Sequence, residues 1–197
     1  MTGPQIKMEN ATSLLTVQGL SAGYTHPVVG PIALSVCQGD VMGIRGPNGS
    51  GKSTLLNAIA GSAKIFSGRV EKRPGLRVSH QQQSPLPLEH VPLSGRELLA
   101  LTGASGESLP SWIRPLVNRR LDRLSGGQLQ FLQVWACLKA PVDLVLLDEP
   151  TNNLDPSGIE HMANELIRMR SSHAALIISH DQRFLERVCT HVVEVSQ

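Results

Sequence analysis

The sequence predicts an α/β fold built around a mostly parallel sheet, and three observations carry that expectation. Residues 142–147, apolar except for Asp143, and 174–178 are short apolar runs, the mark of strands buried on both faces of a parallel sheet. Residues 41–44 form a strand-like run that enters a glycine-rich loop, and 55–60 leave that loop with a helical pattern. Between the two buried runs, 157–170 is amphipathic with helical spacing, so strands alternate with helices as a parallel sheet requires.

The remaining elements follow in chain order. About ten opening residues form a loose tail. Residues 14–17 and 32–36 have strand character, separated by turn residues around Gly23 and Pro27. After the strand, loop and helix at 41–60, two short strands are expected at 68–70 and 76–79. Residues 84–123 change character, proline-rich at first and then with helical patches at 97–101 and 112–117. We expect a small, mostly helical subdomain there. A longer helix spans 124–138, opened by Ser125, Gly126 and Gly127. A helix at 182–188 and a last strand at 192–195 complete the series. No internal repeat is present, and the one biased run is Gln81, Gln82 and Gln83.

Composition narrows the function classes. A chain of 197 residues, 41% hydrophobic and 17% charged, is long enough to bury a core and is too apolar to be disordered. The net charge of +2 is too small for a nucleic-acid footprint, so no nucleic-acid partner is expected. No apolar run approaches the length that spans a bilayer. Lys7 and Glu9 interrupt the N-terminus where a secretion signal would need an apolar core. Cys37, Cys137 and Cys189 lack metal-type spacing and fit the reduced thiols of a cytosolic protein.

The chemistry concentrates in three places. Gly46, Pro47, Asn48, Gly49, Ser50, Gly51, Lys52, Ser53 and Thr54 spell G-x-x-x-x-G-K-S followed by threonine, the spacing of a phosphate-binding loop. Its glycines permit positive φ and bring backbone N–H groups against an anion, Lys52 adds a point charge for the β- and γ-phosphates, and the Ser53 hydroxyl suits Mg²⁺. The helix that follows adds its positive N-terminal potential. Second, the run 142–147 ends in Asp148 and Glu149. An aspartate at such a strand end helps hold the Mg²⁺ that bridges the phosphates, and the next carboxylate can polarise an attacking water. Third, Leu124, Ser125, Gly126, Gly127 and Gln128 precede that strand by about twenty residues.

With that third motif the chain resembles the ATP-binding cassette (ABC) ATPases over about residues 14–195, and the match implies more. Tyr24, the one tyrosine, occupies the place of the family's adenine-stacking aromatic. Asn153, Leu154 and Asp155 resemble the D-loop, and Ile178, Ser179, His180 and Asp181 resemble the strand end that carries the switch histidine. The resemblance implies a P-loop NTPase core over 1–83 and 141–197 that includes an N-terminal antiparallel β-subdomain. It also implies a helical subdomain at about 84–140 carrying the signature motif. ATP and Mg²⁺ are the implied cofactors. Glu149 would be the base or water-positioner and His180 would contact the γ-phosphate; Ser53, Asp148 and a glutamine would address the metal. In this family two cassettes pack head to tail, so Ser125, Gly126, Gly127 and Gln128 would face ATP held by a second copy of the chain. Ser-Gly-Gly opening a helix suits that role, offering backbone N–H groups and a hydroxyl to an anion.

The metal-sensing glutamine is ambiguous. Strand alternation through Leu76 and Val78 permits several registers, and the later stretch Val91, Pro92, Leu93 and Ser94 favours Gln83 over Gln82 and Gln81. The chain also departs from the family. Phe131 stands where an arginine is common, and Trp135-Ala136 stand where Ala-Arg is common. Either Phe131 and Trp135 pack the helix, or the lost cations alter how the helical subdomain follows ATP. Arg119, Arg120 and Arg123 form a basic patch, either solvated or used for docking.

The function implied is the energising subunit of an ABC transporter, held on the cytoplasmic face of a membrane by an integral permease that docks on 84–123. Residues 76–94 resemble the cassettes of divalent-metal importers. The competing reading is a soluble ABC ATPase acting on ribosomes or another machine. Residues 152–155 and 179–185 resemble the tandem-cassette translation factors, although this sequence has one P-loop and one signature. A cassette with degraded turnover is disfavoured by the intact Lys52, Asp148, Glu149 and His180.

Overall fold

A computed structural model describes residues 13–83 and 92–195. The expected opening tail, most of the proline-rich stretch at 84–91, and Val91 of the glutamine-loop comparison lie outside the described residues. Two sheets organise the chain. β1 (Ser13–Gly23), β2 (Pro27–Cys37) and β4 (Lys64–Lys72) form an antiparallel sheet in the order β2-β1-β4. β3 (Val41–Arg45), β5 (Val78–Gln81), β6 (Leu144–Asp148), β7 (Ala174–Ile178) and β8 (His191–Glu194) form a fully parallel sheet in the order β5-β6-β7-β3-β8. The expected α/β class with a parallel sheet is what the chain adopts.

Burial explains why β6 and β7 read as continuous apolar runs. Leu144 and Leu146 face one core, shared with α1 (Lys52–Ala60) and the antiparallel sheet. Val145 and Leu147 face the other, shared with α3 (Gly126–Lys139), α4 (Pro156–Met169) and α5 (Gln182–Val188). Each strand residue is therefore covered whichever way it points. α2 (Gly95–Thr102) contributes Leu99 to the second core and packs against α3. Serine caps mark the starts of α2 and α3. Ser94 with Glu97, and Ser125 with Gln128, each close a reciprocal capping box.

Several expected boundaries shift. β1, β2 and β4 extend well beyond 14–17, 32–36 and 68–70, because antiparallel pairing continues through polar residues in β1 and β4 and through glycine and prolines in β2 that local pattern does not mark as strand. β5 lies two residues later than 76–79, fixed by its parallel register of Val78 with Leu144 and Gln81 with Leu147. The helical patch at 112–117 is turns and a single 3₁₀ turn at Arg114–Leu116, where Pro115 removes a donor that a longer helix would need.

The two departures on α3 are packing residues. Phe131 is fully buried, stacks on Trp135 at 5.6 Å, and receives the edge of Trp112 at 4.8 Å. Phe131→Ala should destabilise the fold by about 3–5 kcal/mol. Phe131→Arg, which installs the residue the resembled family carries, should cost more by burying an unpaired cation. Urea unfolding of the three proteins checks this, and an arginine variant as stable as the parent would contradict it.

Candidate active site

Four strand ends meet at one edge of the parallel sheet, because β5, β6, β7 and β3 are neighbours and all point the same way. β3 delivers the glycine-rich loop, β6 delivers Asp148 and Glu149, β7 leads to Ser179 and His180, and β5 leads into the glutamine run. Together they border a cleft of about 560 Å³ lined by Asn48, Gly49, Gly51, Lys52, Ser53, Thr54, Gln83, Asp148, Glu149 and His180, with Val28 and Ile178.

The loop is held as its sequence requires. Gly46, Gly49 and Gly51 have φ of 153°, 81° and 85°. A side chain at Gly51 is excluded twice, by that φ and by Val29 of β2, which lies 2.6 Å from where its Cβ would stand. The Lys52 ammonium donates to the carbonyls of Gly46 (2.9 Å) and Pro47 (2.8 Å), so it is anchored at the loop it serves. Ser50 is buried with its hydroxyl unpartnered, and Thr54 is buried in the first turn of α1.

Asp148 and Glu149 are each 4% exposed. Burial raises the pKa of both. At Asp148 this is opposed by the Ser53 hydroxyl, which hydrogen-bonds the carboxylate, and by the charges of His80 and Lys52. At Glu149 it is opposed by the backbone N–H of His180, which donates to Oε2 at 3.2 Å. His180 Nε2 lies 3.1 Å from Glu149 Oε1. The backbone of Glu149 is left-handed at φ 52°, rare for a residue with a side chain, and its surroundings hold it there. Its N–H donates to the Ile178 carbonyl at 2.9 Å, and Gln130 of α3 donates to its carbonyl at 3.3 Å. The donor set of Ser53 hydroxyl, Asp148 carboxylate and Gln83 amide is all hard oxygen, and Asp148 Oδ1 is buried without a partner. That combination fits Mg²⁺, which binds few protein ligands and keeps substrate phosphates and waters.

Of the three glutamines, Gln83 lines the cleft. Gln81 is buried at the end of β5, and Gln82 donates to Asn57 Oδ1 at 3.3 Å. Tyr24 stands in the turn between β1 and β2, its hydroxyl accepting from Asn57 of α1 at 2.8 Å. The residues that local sequence did not flag are Val28, His80 and Asn57. Each acts through a neighbour from a distant part of the chain, which only strand register and helix packing reveal.

Ser125, Gly126, Gly127 and Gln128 are not brought into this cleft. Ser125, Gly127 and Gln128 line a separate concavity of about 420 Å³ with Trp112, Asn153, Leu154, Asp155 and Gly158. Gly127 lies so close to the Asn153 carbonyl that a Cβ would stand 2.4 Å from it, joining the signature to the D-loop-like turn. The Ser125 hydroxyl caps Gln128 N at 3.3 Å, and Ser125 and Gly126 are exposed.

Comparison with known proteins agrees with this arrangement. The family described as ABC transporter matches residues 29–152. The zinc import ATP-binding protein ZnuC of Roseobacter denitrificans is 35% identical over 86% of this chain and 70% of its own length. The energy-dependent translational throttle protein EttA of Escherichia coli O6:H1 is 29% identical over 92% of this chain but 34% of its own. A solved ATP-binding subunit of an ABC transporter shares the fold with a TM-score of 0.80, at 24% identity over 92% of this chain and 85% of that one. The family match over most of the chain, together with a relative 35% identical over 86% of it, makes this chain a member of the ATP-binding cassette family of transporter ATPases.

Proposed function

We propose that this chain hydrolyses Mg²⁺-bound ATP to drive import of a divalent metal ion through a separate membrane permease. The observation that carries the reading is the 35% identity to a protein named for zinc import, over 70% of that protein's length. The gathered Lys52, Asp148, Glu149 and His180 supply the chemistry.

In this reading residues 46–54 cradle the triphosphate with backbone N–H groups, and Lys52 pairs with the β- and γ-phosphates. Ser53, Asp148 and Gln83 hold Mg²⁺, which neutralises phosphate charge when bound. Glu149 takes the proton from the water that attacks the γ-phosphate. His180, 3.1 Å from that carboxylate, orients the water and meets the γ-phosphate. Tyr24 stacks on adenine. The outward-facing Ser125, Gly126, Gly127 and Gln128 address ATP on a second copy packed head to tail, since nothing in their own concavity includes Lys52 or Asp148. Without that copy the site lacks part of the stabilisation of the transferring phosphoryl group.

We read 1–83 and 141–197 as the ATP-binding core and about 84–140 as the helical subdomain that docks the permease. A groove of about 590 Å³ suits that contact, with Leu99, Ala100, Leu109 and Val117 as its apolar floor and Arg96, Arg114 and Glu107 beside it. Among the described residues no helix is long and apolar enough to cross a membrane. The chain then works on the cytoplasmic face of the membrane, through the permease. Action on ribosomes is the less supported reading, because EttA is matched over only 34% of its length.

Purification of the native complex separates these readings, with an integral membrane protein expected and co-purifying ribosomal subunits overturning the transport reading. Cells lacking the chain should accumulate less zinc, restored by the parent and not by Glu149→Gln. That variant should keep ATP affinity, lose turnover and trap an ATP-bound dimer on sizing chromatography; retained steady-state hydrolysis would remove Glu149 from its role. Because burial raises the Glu149 pKa and the base must be ionised, turnover falls as pH drops through that raised value. The acid limb of kcat should therefore lie above the ordinary glutamate range, and a limb within that range would count against the assignment. Ser125→Arg should stop hydrolysis while nucleotide binding by the monomer, read by calorimetry, stays unchanged.

A further inference from the structure

We propose that Asn57 is a positioning residue for the nucleotide base, holding the Tyr24 ring in place through one oriented amide. The inference rests on the reading of Tyr24 as the base contact. Tyr24 lies in a short exposed turn and is itself 56% exposed, so packing alone leaves its ring little support. Asn57 Nδ2 donates to its hydroxyl at 2.8 Å. The other end of the amide is also occupied, with Oδ1 accepting from Gln82 Nε2 at 3.3 Å, while the Ser62 hydroxyl gives its single proton to the nearer Asn57 carbonyl at 3.1 Å. The donor on Oδ1 leaves the NH₂ end to face the tyrosine. Asn57 sits on α1, the helix that starts at Lys52, so the ring is referenced to the same rigid element as Lys52, Ser53 and Thr54. Base platform and phosphate loop thereby keep a fixed separation, and less ordering is left to occur on binding.

The experiment compares equilibrium binding of Mg·ATP and of Mg·tripolyphosphate, which has no base, to the full chain by calorimetry. Tyr24→Ala should weaken ATP about tenfold and leave tripolyphosphate unchanged. Tyr24→Phe and Asn57→Ala should each weaken ATP about fivefold, again with tripolyphosphate unchanged. Combining those two should weaken ATP no further than either alone, because both remove the same bond. Equal weakening of tripolyphosphate by Asn57→Ala would assign it to helix integrity and overturn the inference. Parent-like ATP affinity in Tyr24→Phe would overturn it as well, and that variant alters only a surface hydroxyl. If Tyr24→Ala itself leaves ATP affinity unchanged, the base reading of Tyr24 falls first and the inference falls with it.

Discussion

Three buried charged groups at one edge of a parallel sheet set the terms for the rest of the structure. Lys52, Asp148 and Glu149 are 8%, 4% and 4% exposed, and ions withdrawn from water to that extent need partners. The protein supplies them from four strand ends. Loop carbonyls anchor the ammonium, the Ser53 hydroxyl meets Asp148, and the backbone N–H of His180 meets Glu149. The strand order β5-β6-β7-β3 is what makes those partners adjacent. Asp148 Oδ1 stays unpartnered at the centre, and in the proposed reading a hard cation would meet it there.

The antiparallel sheet and the helices act as walls for that edge. Val29 of β2 presses on the phosphate loop at Gly51, so the small sheet fixes the loop's backbone as well as carrying Tyr24. On the opposite face, Gln130 extends from α3 to the carbonyls of Glu149 and Pro150, at 3.3 and 3.4 Å. The helix that begins with the signature serine thus touches the backbone of the buried glutamate. Phe131 and Trp135 of this helix pack with each other, and Phe131 packs with Trp112, burying aromatic surface there.

The cleft residues and the signature residues lie on different surfaces. Lys52, Asp148 and His180 open on one cleft, whereas Ser125 and Gly127 open on a concavity bordered by Asn153 and Asp155. The close approach of Gly127 to the Asn153 carbonyl ties signature and D-loop-like turn into one structural piece. A second copy that presents this piece to the cleft would unite groups that a single chain keeps apart.

By itself the sequence determined the α/β class, the glycine-rich loop, the carboxylate pair at the end of β6 and the signature at the start of α3. These are legible because each is a local pattern: glycine spacing, an apolar run with a charged end, or a cap followed by a helix. Local pattern also overreached at 112–117, where Pro115 limits the helix to one 3₁₀ turn, and it stopped short in β1, β2 and β4. Only the tertiary structure decided that Gln83 faces the cleft while Gln81 is buried and Gln82 turns to Asn57. The stretch at 91–94 favoured Gln83 by resemblance alone; the register of β5, which sets Gln81 opposite Leu147, separates the three side chains in space. The same holds for Phe131, Gln130 and Asn57, whose roles depend on partners from distant parts of the chain.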